Sequence, residues 1–232
     1  MASDIILLLL LFAVSSSSIK YVYVENSLYW DGAQKFCRNN YADLAPVSGV
    51  YDMRLPQQTS VWIGLQRNST NNIKWEWSGG GAVTGNFWGA NQPDILRQKY
   101  GVIRNSFWYD EFETDLYKFL CSSVKVVRLP MQWEDAIDYC KKNYREMASV
   151  TSQAEMMLIQ KELRKGVFTD DVWIGMHFLA GQWVWVNRRQ VMYESWGVKG
   201  KPTCPMEKVQ CALYIKEWNA CDCAKPLYFI CY

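Results

Sequence analysis

The chain has 232 residues, of which half are hydrophobic and 15% are aromatic, so it can bury one or two packed cores. Its 25 Lys and Arg side chains against 23 Asp and Glu side chains give a formal net charge of +2. This near balance offers no electrostatic reason to expect a nucleic acid or an anionic membrane as a partner.

The first residues have the pattern of a secretory signal peptide. An apolar run extends from Ile5 to Val14, and four serines follow it at 15–18. A membrane span requires about twenty apolar residues, whereas the hydrophobic region of a signal peptide requires about ten. We interpret residues 1–18 as a removed signal. An uncleaved anchor is the alternative, because Asp4 stands where basic residues are usual. No second long apolar run follows, so we expect a secreted chain without a membrane span.

One series of elements occurs twice along the rest of the chain. A helical period of apolar residues covers 30–39 and returns at 133–140. The strand-like sequence Val-Trp-Ile-Gly at 61–64 returns at 172–175, and Phe-Leu-Cys at 119–121 returns as Phe-Ile-Cys at 229–231. Because these matches keep their order, they predict two copies of one domain. We place the copies at 19–123 and 124–232.

A second helix is clear only in the second copy. Ser152 and Glu155 form the capping-box pair of a helix that extends to Leu163. The first copy is shorter at this place and contains Pro56, which predicts a stunted helix. Later in each copy, segments rich in Gly, Asn and Pro or otherwise irregular predict a long loop.

An even number of cysteines, eight, behind a signal-like segment predicts disulfides. We expect Cys37–Cys121 and Cys140–Cys231 each to join the first helix of a copy to its last strand. A zinc site is the alternative for the other four, but zinc ribbons use two close pairs and here only one pair is close. These four are Cys204, Cys211, Cys221 and Cys223.

The landmarks resemble those of the C-type lectin-like family: a helix-borne Cys, a Trp-Ile-Gly-Leu strand, a Trp-rich strand, a long loop with a Pro motif, a Trp-Asn-Asp strand and a closing Phe-Ile-Cys. Both copies carry most of them. The resemblance implies an α+β class with two tandem C-type lectin-like folds. Each fold would have two helices, small antiparallel sheets, a long loop region and disulfide bonds. It also implies a carbohydrate-binding protein. A calcium-independent protein-interaction module with no sugar binding is the alternative.

The family's second disulfide implies a bond between Cys211 and Cys223 in copy two. Copy one lacks both partners, since Tyr100 and Glu113 stand at these positions. We pair the two remaining cysteines, Cys204 and Cys221, as an extra bond on the long loop. The combination of Cys211–Cys221 with Cys204–Cys223 stays open as the alternative.

Sugar-binding members of the family hold a Ca²⁺ ion that bonds two sugar hydroxyls, and Ca²⁺ requires about six to eight oxygen ligands. In copy one the matching positions read Gln92-Pro93-Asp94, Gln98 and Trp108-Tyr109-Asp110. The resemblance therefore implies a weak galactose-type site. Its metal ligands would be Gln92, Asp94 and Asp110. Its carbohydrate-binding residues would be Gln92, Asp94, Gln98, Trp108 and Asp110.

Copy two has lost this pattern. Its loop reads Lys201-Pro202-Thr203, which places a cation where the ion would lie, and its strand reads Trp218-Asn219-Ala220 without the Asp. We therefore expect a Ca²⁺ site in copy one only.

Two further features bear on function. Asn68-Ser69-Thr70 is an acceptor sequence for N-glycosylation, with a plain polar turn as the alternative. His177, the single histidine, has no counterpart in copy one, and no nucleophile elbow is present. We therefore predict that the protein is not an enzyme and that its partner is a glycan or a protein ligand.

Overall fold

A computed structural model of the protein describes residues 20–47, 58–166, 171–206 and 208–232. The predicted signal segment 1–18 and Pro56 of the predicted stunted helix lie outside the described residues. We call the half of the chain that carries the first sheet domain 1 and the half that carries the second sheet domain 2. No helix among the described residues is long and apolar enough to cross a membrane.

Domain 1 is built on one sheet, which has seven strands within the described ranges. The strand order is β1-β7-β3-β5-β6, with β2 beside β7 and β4 beside β3. The pair β3 and β7 is parallel, and the other pairs are antiparallel. The elements are β1 (Tyr21–Leu28), α1 (Trp30–Asn40), β2 (Asp43–Leu44), β3 (Val61–Arg67), β4 (Trp75–Trp77), β5 (Tyr100–Arg104), β6 (Phe107–Glu111) and β7 (Tyr117–Ser122).

Domain 2 repeats this arrangement with six strands among its described residues, in the order β12-β11-β9-β13-β8 with β10 beside β9. Again one central pair, β9 and β13, is parallel. The predicted α+β class with two sheet-rich domains is confirmed. The elements are β8 (Lys125–Met131), α2 (Trp133–Asn143), α3 (Gln153–Arg164), β9 (Val172–Leu179), β10 (Gln182–Trp185), β11 (Cys211–Tyr214), β12 (Trp218–Cys221) and β13 (Leu227–Cys231).

Tryptophans pack each helix on its sheet in the same way. The indole N–H of Trp30 donates to the carbonyl of Ile63 at 2.9 Å, and that of Trp133 donates to the carbonyl of Ile174 at 2.9 Å. A buried indole loses little when its single donor is satisfied in this way. The duplicated landmarks therefore mark duplicated core contacts.

Three disulfides are formed among the described residues. Cys37–Cys121 joins α1 to β7, Cys140–Cys231 joins α2 to β13, and Cys211–Cys223 spans 12 residues at the end of the long loop of domain 2. The first two enclose 84 and 91 residues of chain. By the loop-entropy estimate, closing loops of that size stabilises each fold by about 4–5 kcal/mol, before strain is subtracted.

The predicted bond between Cys204 and Cys221 is absent, and so is the alternative combination. Cys204 is an exposed free thiol, and Cys221 is a half-buried free thiol. Strand β12 holds Cys221 opposite Cys211 of β11, and Cys211 is already bonded to Cys223. The sheet register thus fixes Cys221 on β12, whereas Cys204 lies outside the strands in the long loop.

Helix α3 of domain 2 packs into the core of domain 1. Ala154 is buried in the same cluster as Ile63 and Trp77 of domain 1. The approach requires glycine at Gly81, which has a φ of +96° and where an added Cβ would lie 2.8 Å from the Cα of Ala154. The two domains are therefore joined by packing as well as by the chain that connects them.

A buried carboxylate at the start of α3 links the domains further. Ser152 caps the helix as predicted, accepting from the Glu155 backbone N–H at 3.2 Å. The Glu155 carboxylate accepts from Lys20 Nζ at 3.0 Å, from the Tyr21 hydroxyl at 3.2 Å and from the Thr151 backbone N–H at 2.7 Å. The side chains of Lys20 and Glu155 are only 1% and 3% exposed. A buried pair with this many hydrogen bonds makes the removal of one partner costly.

We predict that Glu155→Ala lowers the free energy of unfolding by about 3–5 kcal/mol, because it leaves the Lys20 ammonium buried without its partner. Urea unfolding measures the change. Asp138→Ala is the control, since Asp138 pairs with Lys141 on the exposed face of α2 at 3.7 Å. We expect less than about 1 kcal/mol for the control. Equal losses in the two variants would contradict the buried contact between the domains.

We also predict that alkylation of the unfolded, non-reduced protein modifies two of the eight cysteines, Cys204 and Cys221. Mass spectrometry of the peptides identifies them. Blockage of both positions without reductant would show a bond that this structure lacks, whereas modification of Cys211 or Cys223 would show a different pairing.

Candidate functional site

The long loop of domain 1 runs from the end of β4 to the start of β5 and is fastened to β6. The peptide bond between Gln92 and Pro93 is cis. The Asp94 backbone N–H donates to Asp110 Oδ1 at 3.2 Å, and the Asp110 backbone N–H donates to Gln92 Oε1 at 3.2 Å. The structure thus brings together the three residues that were predicted as metal ligands.

Arg67, the last residue of β3, reaches this group of residues through Asp110. Its Nη2 is 3.2 Å from Asp110 Oδ2 in an ion pair whose side chains are 7% and 0% exposed. The same guanidinium donates from Nε to the Gln98 carbonyl at 2.7 Å, from Nη2 to the Ile95 carbonyl at 3.3 Å and from Nη1 to the Asn72 carbonyl at 2.8 Å. One side chain therefore connects the turn after β3, the long loop and β6.

Arg67 was not among the predicted site residues, although the internal repeat contains a signal for it. The backbone N–H of Arg67 donates to the Lys99 carbonyl at 2.8 Å, and the backbone N–H of Phe178 donates to the Gln210 carbonyl at 2.8 Å. Phe178 is thus the counterpart of Arg67, and Ala220 is the counterpart of Asp110. Both members of the ion pair are replaced together in domain 2.

The aromatic neighbour of this position is also repeated. The guanidinium of Arg67 lies 4.6 Å from the centre of the Trp75 ring, and the ring of Phe178 packs against Trp183 with centroids 5.6 Å apart. A guanidinium and a phenyl ring can both pack on an indole face. The same place in the fold therefore holds a charged pair in domain 1 and an apolar pair in domain 2.

Burial separates the predicted sugar-binding residues into two groups. Asp94 is exposed and Gln92 is half-buried, whereas Gln98 is 7%, Trp108 1% and Asp110 2% exposed. Trp108 packs edge-on against Trp77 with centroids 5.5 Å apart, and its N–H donates to the Val47 carbonyl at 3.1 Å. The predicted contact of Trp108 with a sugar is therefore corrected, because its ring is part of the core. Gln98 and Asp110 are likewise closed off from the surface.

Comparison with known proteins agrees with this fold. The family model described as the lectin C-type domain matches residues 26–123 and again residues 129–232.

The chain belongs to the C-type lectin domain family.

Mouse (Mus musculus) L-selectin is 30% identical over 113 residues, which are 44% of this chain and 30% of that protein. The secretory phospholipase A2 receptor of Oryctolagus cuniculus is 22% identical over 253 residues, or 91% of this chain and 17% of the receptor. The chain thus spans less than a third of the length of these relatives. Among solved structures, human lithostathine matches 47% of this chain and 80% of its own at 24% identity and a TM-score of 0.43.

Members of this C-type lectin family commonly bind Ca²⁺, so the fit of the ion to domain 1 can be tested on the donor atoms. Both carboxylate oxygens of Asp110 and the side-chain oxygen of Gln92 already accept hydrogen bonds. The exposed Asp94 carboxylate and Gln98 Oε1, which has no hydrogen-bond partner, remain. Ca²⁺ requires about six to eight oxygens, and the Arg67 cation repels it. The residues do not fit a Ca²⁺ ion, and no group of three potential ligands occurs in the described parts of the chain.

The protonation of Asp110 depends on the same contacts. Burial raises the pKa of Asp110 above its ordinary value, while the backbone N–H groups of Asp94 and Asp110 and the Arg67 guanidinium act in the opposite direction. The neighbouring Asp94 carboxylate adds to the increase. The Arg67 contact therefore favours the charged form of the Asp110 carboxyl group, whereas burial favours the protonated form.

The matching loop of domain 2 carries different chemistry. Lys201 Nζ pairs with Glu194 Oε1 at 2.5 Å on the surface, and the Pro202 carbonyl accepts from the indole N–H of Trp183 at 2.8 Å. Ala220 offers no side-chain oxygen.

His177 stacks on Trp133 with ring centroids 5.1 Å apart, and burial lowers the pKa of this imidazole. These contacts are those of a packed side chain.

The predicted glycosylation site lies in the turn after β3. Asn68 Oδ1 accepts from the Thr70 hydroxyl at 2.7 Å, and Asn68 Nδ2 donates to Glu76 Oε2 at 2.6 Å. Ser69 and Thr70 are exposed, so the turn is accessible. Glycosylation stays a prediction, and a glycan would replace the contact of the amide with Glu76.

Two segments held by Arg67 expose aliphatic side chains, and we call them the domain 1 tip: the turn 71–74 and the loop segment 94–99. Ile73 is 81% exposed, Leu96 61% and Ile95 40%. Three basic side chains are exposed beside them. These are Lys74, Arg97 and Lys99. The tip therefore combines apolar and positively charged surface.

Proposed function

We propose that this protein is a secreted, non-catalytic recognition protein that binds a protein ligand through the domain 1 tip without Ca²⁺. In this proposal residues 1–18 are removed as a signal, the domains extend over 19–123 and 124–232, and Asn68 carries a glycan. The three disulfides support export, because such bonds persist in oxidising compartments.

The exposed aliphatic side chains are the observation that carries the choice of ligand. Ile73, Ile95 and Leu96 lie on two segments that the Arg67 guanidinium holds through the carbonyls of Asn72 and Ile95. Because these bonds hold the backbone of both segments, binding has to order less of the chain and costs less conformational entropy. Burial of the three side chains gains about 25 cal/mol per Å² of apolar surface removed from water.

The charges beside these side chains indicate the kind of protein surface. Lys74, Arg97 and Lys99 are exposed at the tip, while Asp94 is its exposed carboxylate. Opposite charges around an apolar contact raise the rate of association and select against wrong partners. We therefore propose a partner with an apolar patch bordered by acidic residues.

Carbohydrate binding is the second candidate function, and the family membership together with Asp94 and Gln92 favours it. Asp94 is exposed and Gln92 is half-buried, so both can reach sugar hydroxyls directly. Without an ion to coordinate two hydroxyls, such binding rests on a few hydrogen bonds of about 0.5–1.5 kcal/mol each. This candidate therefore implies weak binding that Asp94→Ala abolishes.

We predict that millimolar Ca²⁺ leaves the melting temperature of the protein where it is in EDTA. The reason is that two of the three predicted ligands, Gln92 and Asp110, are engaged by Arg67 and by backbone N–H groups. Differential scanning calorimetry in the two buffers measures this. A rise in the melting temperature with Ca²⁺ that Asp110→Asn removes would show that the ion does enter the site.

For the ligand, we predict that Leu96→Glu weakens binding at least about tenfold, because it places a carboxylate in an apolar contact worth more than about 1.4 kcal/mol. The assay is binding in EDTA to an array of extracellular proteins and to a glycan array. Leu129→Glu is the control, since Leu129 is an exposed leucine of β8 in domain 2. If glycan binding is lost in Asp94→Ala and unchanged in Leu96→Glu, carbohydrate binding replaces protein binding as the proposed function.

A further inference from the structure

We propose that the guanidinium of Arg67 is a built-in cation that keeps the long loop of domain 1 assembled without a bound metal ion. This inference concerns how the loop is held. It can therefore be right whether the tip binds a protein or a glycan, and its test measures a cleavage rate, which is separate from the binding assay.

The number and direction of the contacts are the first argument. Arg67 donates to three carbonyls, those of Asn72, Ile95 and Gln98, and pairs with the Asp110 carboxylate. A guanidinium has five donors in a fixed plane, so one arginine can bond several acceptors that come from separate segments. A metal ion connects loops in the same way, by collecting oxygens from distant parts of the chain.

Charge balance is the second argument. Asp110 is 2% exposed, and a carboxylate buried in this way needs a compensating positive charge. Arg67, with its side chain 7% exposed, supplies one charge for one carboxylate. The second carboxylate of the predicted metal site, Asp94, is exposed to solvent and needs no such partner.

Domain 2 supplies the third argument, because it fastens its long loop by other means. The bond between Cys211 and Cys223 closes the end of that loop, and Phe178 and Ala220 stand in place of the ion pair. Domain 1 has Tyr100 and Glu113 at the two cysteine positions and keeps Arg67 and Asp110. Domain 1 therefore has the ion pair without the disulfide, and domain 2 has the disulfide without the ion pair.

Limited trypsin digestion tests the proposal, because Arg97 and Lys99 are cleavage sites inside the held loop. We expect wild-type protein to be cut slowly after these residues, at the same rate in EDTA and in millimolar Ca²⁺. Arg67→Ala should be cut roughly tenfold faster or more, since the loop opens once its central donor is lost. Mass spectrometry of timed samples gives the rates.

Two controls show that the effect is local. Arg104→Ala removes another arginine of domain 1, whose guanidinium lies 4.1 Å from the centre of the Tyr109 ring, and it should leave the cleavage rate after Arg97 and Lys99 unchanged. Cleavage after Lys199 and Lys208 in the long loop of domain 2 should be the same in all variants. Near-ultraviolet circular dichroism verifies that each variant is folded.

Asp110→Asn should open the loop as Arg67→Ala does, and the double variant should be no worse than either single variant.

The dependence of stability on pH separates the ion pair from simple packing. The difference in melting temperature between wild type and Arg67→Ala should shrink as the pH falls. The reason is that Asp110, whose pKa burial raises, becomes protonated and loses its charge-assisted bond. The charged groups that act on Asp110 are Arg67 and Asp94, and the neighbouring Glu111 carboxylate interacts electrostatically with Asp110 as well.

Three results would overturn the proposal. They are slower cleavage of the wild-type loop in Ca²⁺ than in EDTA, an unchanged rate in Arg67→Ala, and additive effects of the two single variants. If Arg67→Ala does not fold, the wild-type comparison in the two buffers and the Asp110→Asn variant still decide the question.

Discussion

A long loop that meets the sheet through few backbone hydrogen bonds, such as those of Trp108 with Phe87 and Gly89, depends on side-chain contacts for the rest of its attachment, and this constraint shapes both domains. In domain 1 the Arg67 guanidinium connects carbonyls of the loop to the carboxylate of Asp110 on β6. In domain 2 the disulfide between Cys211 and Cys223 closes the end of the loop. The ion pair and the disulfide hold the two loops in place, so they determine which side chains each loop exposes to a ligand.

The relation between the domains has a similar origin in buried side-chain contacts. The chain between β7 and β8 is short, yet the described contacts extend well beyond it. Ala154 of α3 lies in the core of domain 1, and Glu155 accepts from Lys20 and Tyr21 of that domain. A helix that contributes to two cores links the stability of one domain to the presence of the other.

Much of the fold could be predicted from the sequence because its signals are local and duplicated. The helical period around Trp30 and Trp133, the Ser152 cap and the closing cysteines each depend on spacing within a short segment. The structure places Gln92, Asp94 and Asp110 together, but it buries Trp108, whose position between Trp77 and Val47 no local pattern reveals. The free Cys204 and Cys221 could not be foreseen either, since their separation depends on the register of β12.

The sequence by itself determined that two copies of one disulfide-bonded, tryptophan-rich domain follow each other, because repeated spacing specifies repeated elements. Only the tertiary structure decided which cation lies beside the buried carboxylate of the predicted metal site. The Arg67 side chain meets Gln98 and Asp110, which are 31 and 43 residues away along the chain. Contacts over such separations arise only when strands and loops pack together. That packing brings the Arg67 guanidinium next to the buried Asp110 carboxylate.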